Sequence, residues 1–390
     1  MPYLSNKSVN RLNIHTGLHG LAFNLSANFF IVFLMTHGFT AIQVFLYLAF
    51  ILALRFTLRP VMLYLAPRIG SRRTLYIGCL FFAAQYLLLA RVEGVNAMFW
   101  AYCVVSALTD VFYWTSYHAI FAFTGDDAHR GKQIGAREAL TTVTAIIAPL
   151  VGGLGIDYFG ARFIFGVAAV VELLAILPLM EVPDLPIAET RPEGAFSAVR
   201  RGVFIFMTDG WIAVGLTFVW AAMLVGATGS SFTVFGGALA LAGLVSAAGG
   251  LLLGRLIDNG HACRAVLLNG ILLVAGLLLR ASAGRGLDTM LAVTALSSLL
   301  GASYIPTLMT AIYRLAAKAP CTLRFIFVTE GAWDIGCISA CLATAGLIYA
   351  GIPLGWSVAL AIVGAVLQMM LLYNYYAQNA AERSSMKNHP

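Results

Sequence analysis

Along this chain long apolar runs alternate with short breaks of charge, glycine or proline. Twelve runs can be counted, at 18–37, 41–66, 74–91, 97–124, 138–157, 162–181, 203–227, 231–254, 265–282, 288–313, 325–350 and 354–376. A helix needs about 20 mostly apolar residues to cross a hydrocarbon core of about 30 Å, so the pattern predicts twelve membrane-spanning helices, spans one to twelve below. A β-barrel would show alternating segments of about ten residues instead. A cleaved signal peptide would show a short apolar core before a small-residue site. Here the polar stretch through Thr16, with Lys7 and Arg11, leads into a run long enough to remain as a span.

Composition agrees with lipid as the solvent. Of 390 residues 60% are hydrophobic and 11% charged, with a mean hydropathy of +0.87, whereas soluble domains run near ~45–50% apolar and ~25% charged. The net charge of +7 raises the question of a nucleic-acid partner, and its distribution answers it. With the N-terminus placed inside, the loop and tail lysines and arginines fall inside except Arg91, Arg162, Arg280 and Arg285, as the positive-inside rule demands. The charge therefore orients the chain, with both termini cytoplasmic in a cytoplasmic (inner) membrane, and no nucleic-acid partner is expected. Six cysteines lie in or beside spans without C-x-x-C spacing, and read as small apolar residues.

The longest polar interruption, about 182–202, divides the chain into residues 1–181 and 203–390, each with six spans. Each half has a basic turn after its second span, R-I-G-S-R-R at 68–73 and G-R-L-I-D-N-G-H-A-C-R at 254–264, and a shift of 192 residues carries Glu138 onto Glu330. Duplicated halves around a midplane site are a transporter architecture.

Three features resemble the major facilitator superfamily across essentially the whole chain. One is the six-plus-six layout. The second is the family's motif A, a glycine, an aspartate four residues on, then glycine and basic residues between spans two and three. The first copy keeps Gly70, Arg72 and Arg73 but has Leu63 and Pro67 where glycine and aspartate are expected. The second keeps Gly254, Asp258, Gly260 and Arg264. The third is motif C of antiporters in span five, where Gly135, Pro149, Gly152 and Gly153 match and Thr144 and Ala148 replace glycines. Proline and glycine there permit bending and close packing; generic small-residue packing is the other reading. The resemblance implies an all-α integral membrane fold of two pseudo-symmetric six-helix bundles that rock about a central site. It also implies gating roles for Arg68, Gly70, Arg72, Arg73, Pro149, Gly152, Gly153, Gly254, Asp258 and Arg264.

Charges within a bilayer cost at least ~2.5–3.5 kcal/mol each on insertion scales and so mark sites. Arg55 and Arg59 share one face of span two. Arg55 is expected near mid-membrane, either as an anchor for an anionic substrate group or paired with Asp110; Arg59 is expected to snorkel to the interface. Ser106, Asp110, Tyr113, Trp114, Tyr117 and His118 recur at three- and four-residue spacing in span four and predict one cavity-lining stripe. Asp110 and His118 are candidate proton carriers, with a hydrogen-bonded structural role open for His118. In span eleven, Asp334 is a further proton-coupling candidate. Glu330 is either its partner in a protonatable pair or, because the resemblance places the start of span eleven near the loop after span two, a latch onto Arg68 or Arg72, with its counterpart Glu138 latching onto Arg255 or Arg264. Asn24, Asn28 and Tyr304 are candidate substrate contacts, or interhelical hydrogen-bonding groups. Glu172 in span six has no evident role, and His15, His19 and His37 lack metal-ligand spacing.

No phosphate-binding loop, nucleophile elbow or H-E-x-x-H occurs, so neither enzyme activity nor a cofactor or metal is expected. The reading is a monomeric secondary transporter moving a small organic solute that bears an anionic group, coupled to protons. The alternatives are efflux of amphipathic or cationic compounds and a non-transporting sensor or scaffold.

Overall fold

Polar caps turn the apolar runs into defined rods. The computed structural model describes residues 6–125, 129–185, 199–257 and 262–387, and these contain helices and no strand. The Asn6 side chain accepts the Val9 N–H at 3.1 Å, and Asn96 accepts that of Phe99 at 3.1 Å. Thr40 and Gln43 form a reciprocal capping box. Such caps satisfy amides that the first turn of a helix leaves unpaired.

Among the described residues eleven rods are long and apolar enough to cross a membrane: Lys7–Thr36, Ala41–Leu58, Ala97–Thr124, Lys132–Phe159, Ala161–Glu181, Arg200–Thr228, Phe232–Gly250, Cys263–Ala281, Leu287–Lys318, Thr322–Tyr349 and Leu354–Asn379. By this measure the expected count of twelve is not met. The third expected span is a continuous helix, Ser71–Leu89, of 19 residues, but Arg72 and Arg73 in its first turn reduce its hydropathy. It packs against the helices Ala97–Thr124 and Ala161–Leu174.

Two spans begin earlier than hydropathy predicts. Span one starts at Lys7 and span five at Arg130, because polar residues in the added turns are buried against protein: Asn13, His15 and Thr16 in one, Gln133 and Arg137 in the other. Four spans depart from α geometry midway. Span one passes through a 3₁₀ turn at Ala27–Phe29 and span seven through a π-turn at Val214–Val219. Span two is interrupted at Arg59 before Pro60, and span ten between Leu300 and Tyr304. Proline lacks an amide donor, and 3₁₀ and π turns within helices frequently mark functional hinges.

The first six spans pack together, as do the last six, and the two bundles meet along spans two and eleven, five and eight, four and ten, and four and eleven. The five–eight seam is backbone against backbone. A Cβ at Gly153 would run into the Phe232 carbonyl, and one at Gly236 into the Pro149 carbonyl, so glycine is what permits the approach. Gly152 lies against Leu25 and Phe29 of span one. Of the central segment, residues 186–198 lie outside the described residues, as does Asp258 of the second basic turn; the helix carrying Gly254 is described to Ile257.

Candidate functional site

One end of the molecule gathers the basic loops, and about 20 Å in from that end, at about 1.5 Å of rise per residue, three spans bring charge together. Arg55 of span two donates from Nη1 to Asp110 of span four at 3.1 Å and from Nη2 to Glu330 of span eleven at 3.3 Å, and its Nε is ion-paired with Asp334 of the same span. Arg59, one turn on, pairs with the other oxygen of Asp334 and donates to Thr115 Oγ1 at 3.1 Å. Both arginines and both span-eleven acids are buried, while the Asp110 side chain keeps 24% exposure and so remains reachable. Arg55 also lies over the Trp333 ring, 4.9 Å from its centroid. Since spans two and four belong to one bundle and span eleven to the other, these ion pairs join the bundles.

A second tier lies nearer the basic end. His118 Nδ1 is hydrogen-bonded to the Tyr313 hydroxyl of span ten at 2.7 Å, and its Nε2 is 3.6 Å from Glu330. Arg137 of span five donates to the same hydroxyl at 2.7 Å and pairs with its neighbour Glu138. Phe121 packs on Tyr313 with ring centroids 5.1 Å apart. Tyr313 is thus clasped by spans four and five of the opposite bundle.

Several expectations change. Glu330 meets Arg55 and His118, not Arg68 or Arg72, because the first basic loop is held by its own bundle. Asp184 accepts the Ser71 hydroxyl at 2.6 Å and the Arg72 amide at 3.1 Å, and Arg72 donates to the carbonyls of Met180 and Val182 at 3.0 and 2.9 Å. Gly70 turns there at φ +89°, where Asp184 leaves no room for a Cβ. Arg68 folds over the Tyr64 ring, 3.7 Å from its centroid, while Arg73 and Arg264 are exposed. Glu138 is engaged by Arg137 rather than Arg264, and the Arg255 side chain lies outside the described residues. Arg59 does not snorkel; Asp334 holds it inside.

The single stripe expected on span four divides in two. Asp110, Trp114 and His118, spaced by four, form the ridge at the bundle interface, where the Trp114 Nε1–H donates to Asp110 at 3.0 Å and its ring stacks on His118. Tyr113 and Tyr117, one ridge over, turn into the first bundle: Tyr113 meets His15 at 2.9 Å and Tyr117 meets Thr16 at 2.7 Å. A residue adds about 100° of rotation, so positions i+3 and i+4 diverge once a helix is packed on both sides. Ser106 accepts from Gln85 at 3.1 Å. In span one, Asn28 donates to Asn24, which donates to the Gly20 carbonyl at 2.7 Å.

Glu172 receives its account here. Fully buried in span six, it accepts from His19 Nδ1 at 2.9 and 3.1 Å, while His15 Nδ1–H donates to the Ala175 carbonyl at 2.8 Å. Among the described residues no cluster of three or more histidine, cysteine or acidic side chains is placed to hold a metal.

Sequence reasoning missed Asp209 of span seven. Its Oδ1 accepts the Tyr304 hydroxyl and its Oδ2 the Trp333 Nε1–H at 2.9 Å, and among the described residues it is in no ion pair. The signal was present, since Asp209 is an acid inside an apolar run. Arg137 was hidden by the late boundary drawn for span five.

The sequence profile of the Major Facilitator Superfamily matches residues 13–322, and the chain belongs to this family. It is similar in fold to the human organic anion transporter MFSD10 (TETRAN), with a TM-score of 0.67 at 17% identity over 95% of this chain and 99% of that one. The E. coli fucose:proton symporter FucP gives 0.67 at 13% identity over 94% and 98%, and the nucleoside transporter NupG 0.64 at 13% identity over 95% and 99%. No curated protein matches the sequence. The chain is a multi-pass membrane protein with the fold of a transporter.

Proposed function

We propose that this protein is a proton-coupled secondary transporter that moves a small organic solute bearing an anionic group by alternating access, with its basic end toward the cytoplasm. The observation that carries the reading is Arg55, held by one carboxylate of its own bundle and two of the other. A guanidinium fork suits a carboxylate or phosphate. A substrate anion reaching Arg55 takes the place of Glu330 or Asp334 and thereby undoes the tie between the bundles. Binding and opening are then one competition for the same donors.

Charge balance supports coupling to protons. In the two tiers three arginines (Arg55, Arg59, Arg137) face four carboxylates (Asp110, Glu138, Glu330, Asp334). With His118 neutral the group carries one negative charge in excess, which one proton cancels. Buried charge without a partner is costly, so release of Asp334 from the arginines favours its protonation.

The same excess of acid, with Asp209 beside it, favours the rival reading of cation efflux. A thermal-shift screen of the purified protein against organic anions and hydrophobic cations separates them, since a ligand that binds the folded state raises the melting temperature. Stabilisation by an anion class, lost in Arg55→Lys and followed by proton-driven uptake of that anion in liposomes, is the expected result. Stabilisation by cations alone, insensitive to Arg55, overturns it.

A further inference from the structure

We propose that Asp209 is a proton-loading carboxylate and that Trp333 carries its state to the Arg55 tie between the bundles. This deepens the proposed function and rests on its reading of Arg55 as the tie that opens.

Trp333 has two contacts on two sides. Its Nε1–H donates to Asp209 Oδ2 at 2.9 Å, and its ring face supports the Arg55 guanidinium at 4.9 Å. The hydrogen bond fixes the indole, and the indole completes the surroundings of Arg55. An ionised carboxylate accepts a hydrogen bond roughly twice as strong as a neutral acceptor does. Protonation of Asp209 therefore loosens the indole, and Arg55 loses the ring that helps hold it against Asp334 and Glu330.

Asp209 is set apart from the acids of the tie by having no arginine or lysine partner among the described residues. Span eleven packs on it with Trp333 and the Cys337 thiol, which donates to the Gly210 carbonyl at 3.0 Å; span ten with Tyr304; and span twelve with Gln368, which donates to the Ile205 carbonyl at 3.2 Å. Tyr304 and Cys337 are the titratable groups of this set, and Arg55 stands beyond Trp333. An acid without a cationic partner inside a membrane span is rare and marks a functional group.

A small polar cavity lies beside Asp209, apart from the residues of the tie. Tyr304, whose hydroxyl meets Asp209, also lines a cavity of about 20 Å³ inside the second bundle, together with Asn269, Thr307 and Gln368. That volume holds about one water, and the side chains supply its partners. In the loading step a hydronium at this water gives its proton to the Tyr304 oxygen as the Tyr304 O–H proton passes to Asp209 Oδ1. Tyrosine is regenerated, water is left behind, and Asp209 becomes a neutral acid.

The test uses the full chain in lipid nanodiscs, with spin labels at Lys132→Cys of span five and Ala317→Cys of span ten, both exposed at the basic end, and with Cys263 and Cys321 replaced by serine. The probe is the proton. In the otherwise native protein the interlabel distance is expected to lengthen from mildly alkaline to mildly acidic pH. Asp209→Asn and Trp333→Phe are expected to remove that response, and Asp209→Glu to restore it with a displaced midpoint. Tyr304→Phe is expected to leave the endpoint in place and slow opening after a pH jump at least about tenfold, as loss of a positioned proton donor does. Arg55→Met, a control for the tie itself, is expected to lengthen the distance at every pH. A native-like response in Asp209→Asn alongside an open Arg55→Met overturns the role of Asp209 and leaves the tie standing. A distance that stays short in Arg55→Met, or that never responds to pH in the parent, overturns both.

Discussion

Two buried groups of ionisable side chains differ in what they connect. In the first bundle His19 and Glu172, with His15 and Tyr113 beside them, join spans one, four and six, all parts of one body. Arg55, Arg59, Asp110, Glu330 and Asp334 join spans two and four to span eleven, across the seam between bodies. The residue chemistry is similar, and the cost of burying charge applies to both. The first group is a fastening, since nothing requires its partners to separate. The second lies on the seam that the proposed alternating access would have to break and remake, so on that proposal its ion pairs distinguish two arrangements of the bundles.

The largest effect that would sharpen this contrast is expected at Arg55. Arg55→Met leaves Asp110, Glu330 and Asp334 with one arginine fewer, and breaking a buried pair costs about 3–5 kcal/mol. Because the loss falls between bundles, it should appear as opening of the basic end and collapse of coupled flux, with the melting temperature of the separate bundles little changed. A large fall in melting temperature with the bundles still closed would break the contrast. Next comes Glu172→Gln, which replaces a charged acceptor of His19 by a neutral one. Hydrogen bonds to charged groups contribute about 1.5–3 kcal/mol, so a lower melting temperature is expected, with flux per folded molecule retained. Altered coupling in that variant would make the first group part of the moving machinery. The smallest effect is expected at Arg162, whose pair with Glu93 at 3.0 Å is exposed on both sides. Arg162→Gln should leave both melting temperature and flux within error, since exposed pairs contribute little.

The contrast shows how much was legible beforehand. Arg55, Asp110, His118, Glu330 and Asp334 were all marked by one rule, that charge inside an apolar run is kept for use. The rule cannot say which acid meets which arginine. Glu330 was matched to Arg68 or Arg72 by its place near a basic turn, whereas Asp184, 113 residues from Ser71 along the chain, had already engaged that turn. Tyr113 and Tyr117 were assigned to the Asp110 face because spacing by three and by four look alike until neighbouring helices occupy both sides. His15 read as loop because hydropathy counts a buried polar side chain as if water surrounded it.

By itself the sequence determined the all-helical membrane fold, the two related halves, the basic asymmetry between the ends and the set of charged residues with a function to seek. Each of these is a property of residue type and order along the chain, and lipid reads it locally. Only the tertiary structure decided that Arg55 is shared among three carboxylates, that Trp333 stands between Arg55 and Asp209, and that Glu172 is the partner of His19. Those pairings join residues as far apart in the chain as Arg55 and Asp334. They are set by helix rotation and packing angle, which short-range polar contacts feel within a few tenths of an ångström and hydropathy does not record.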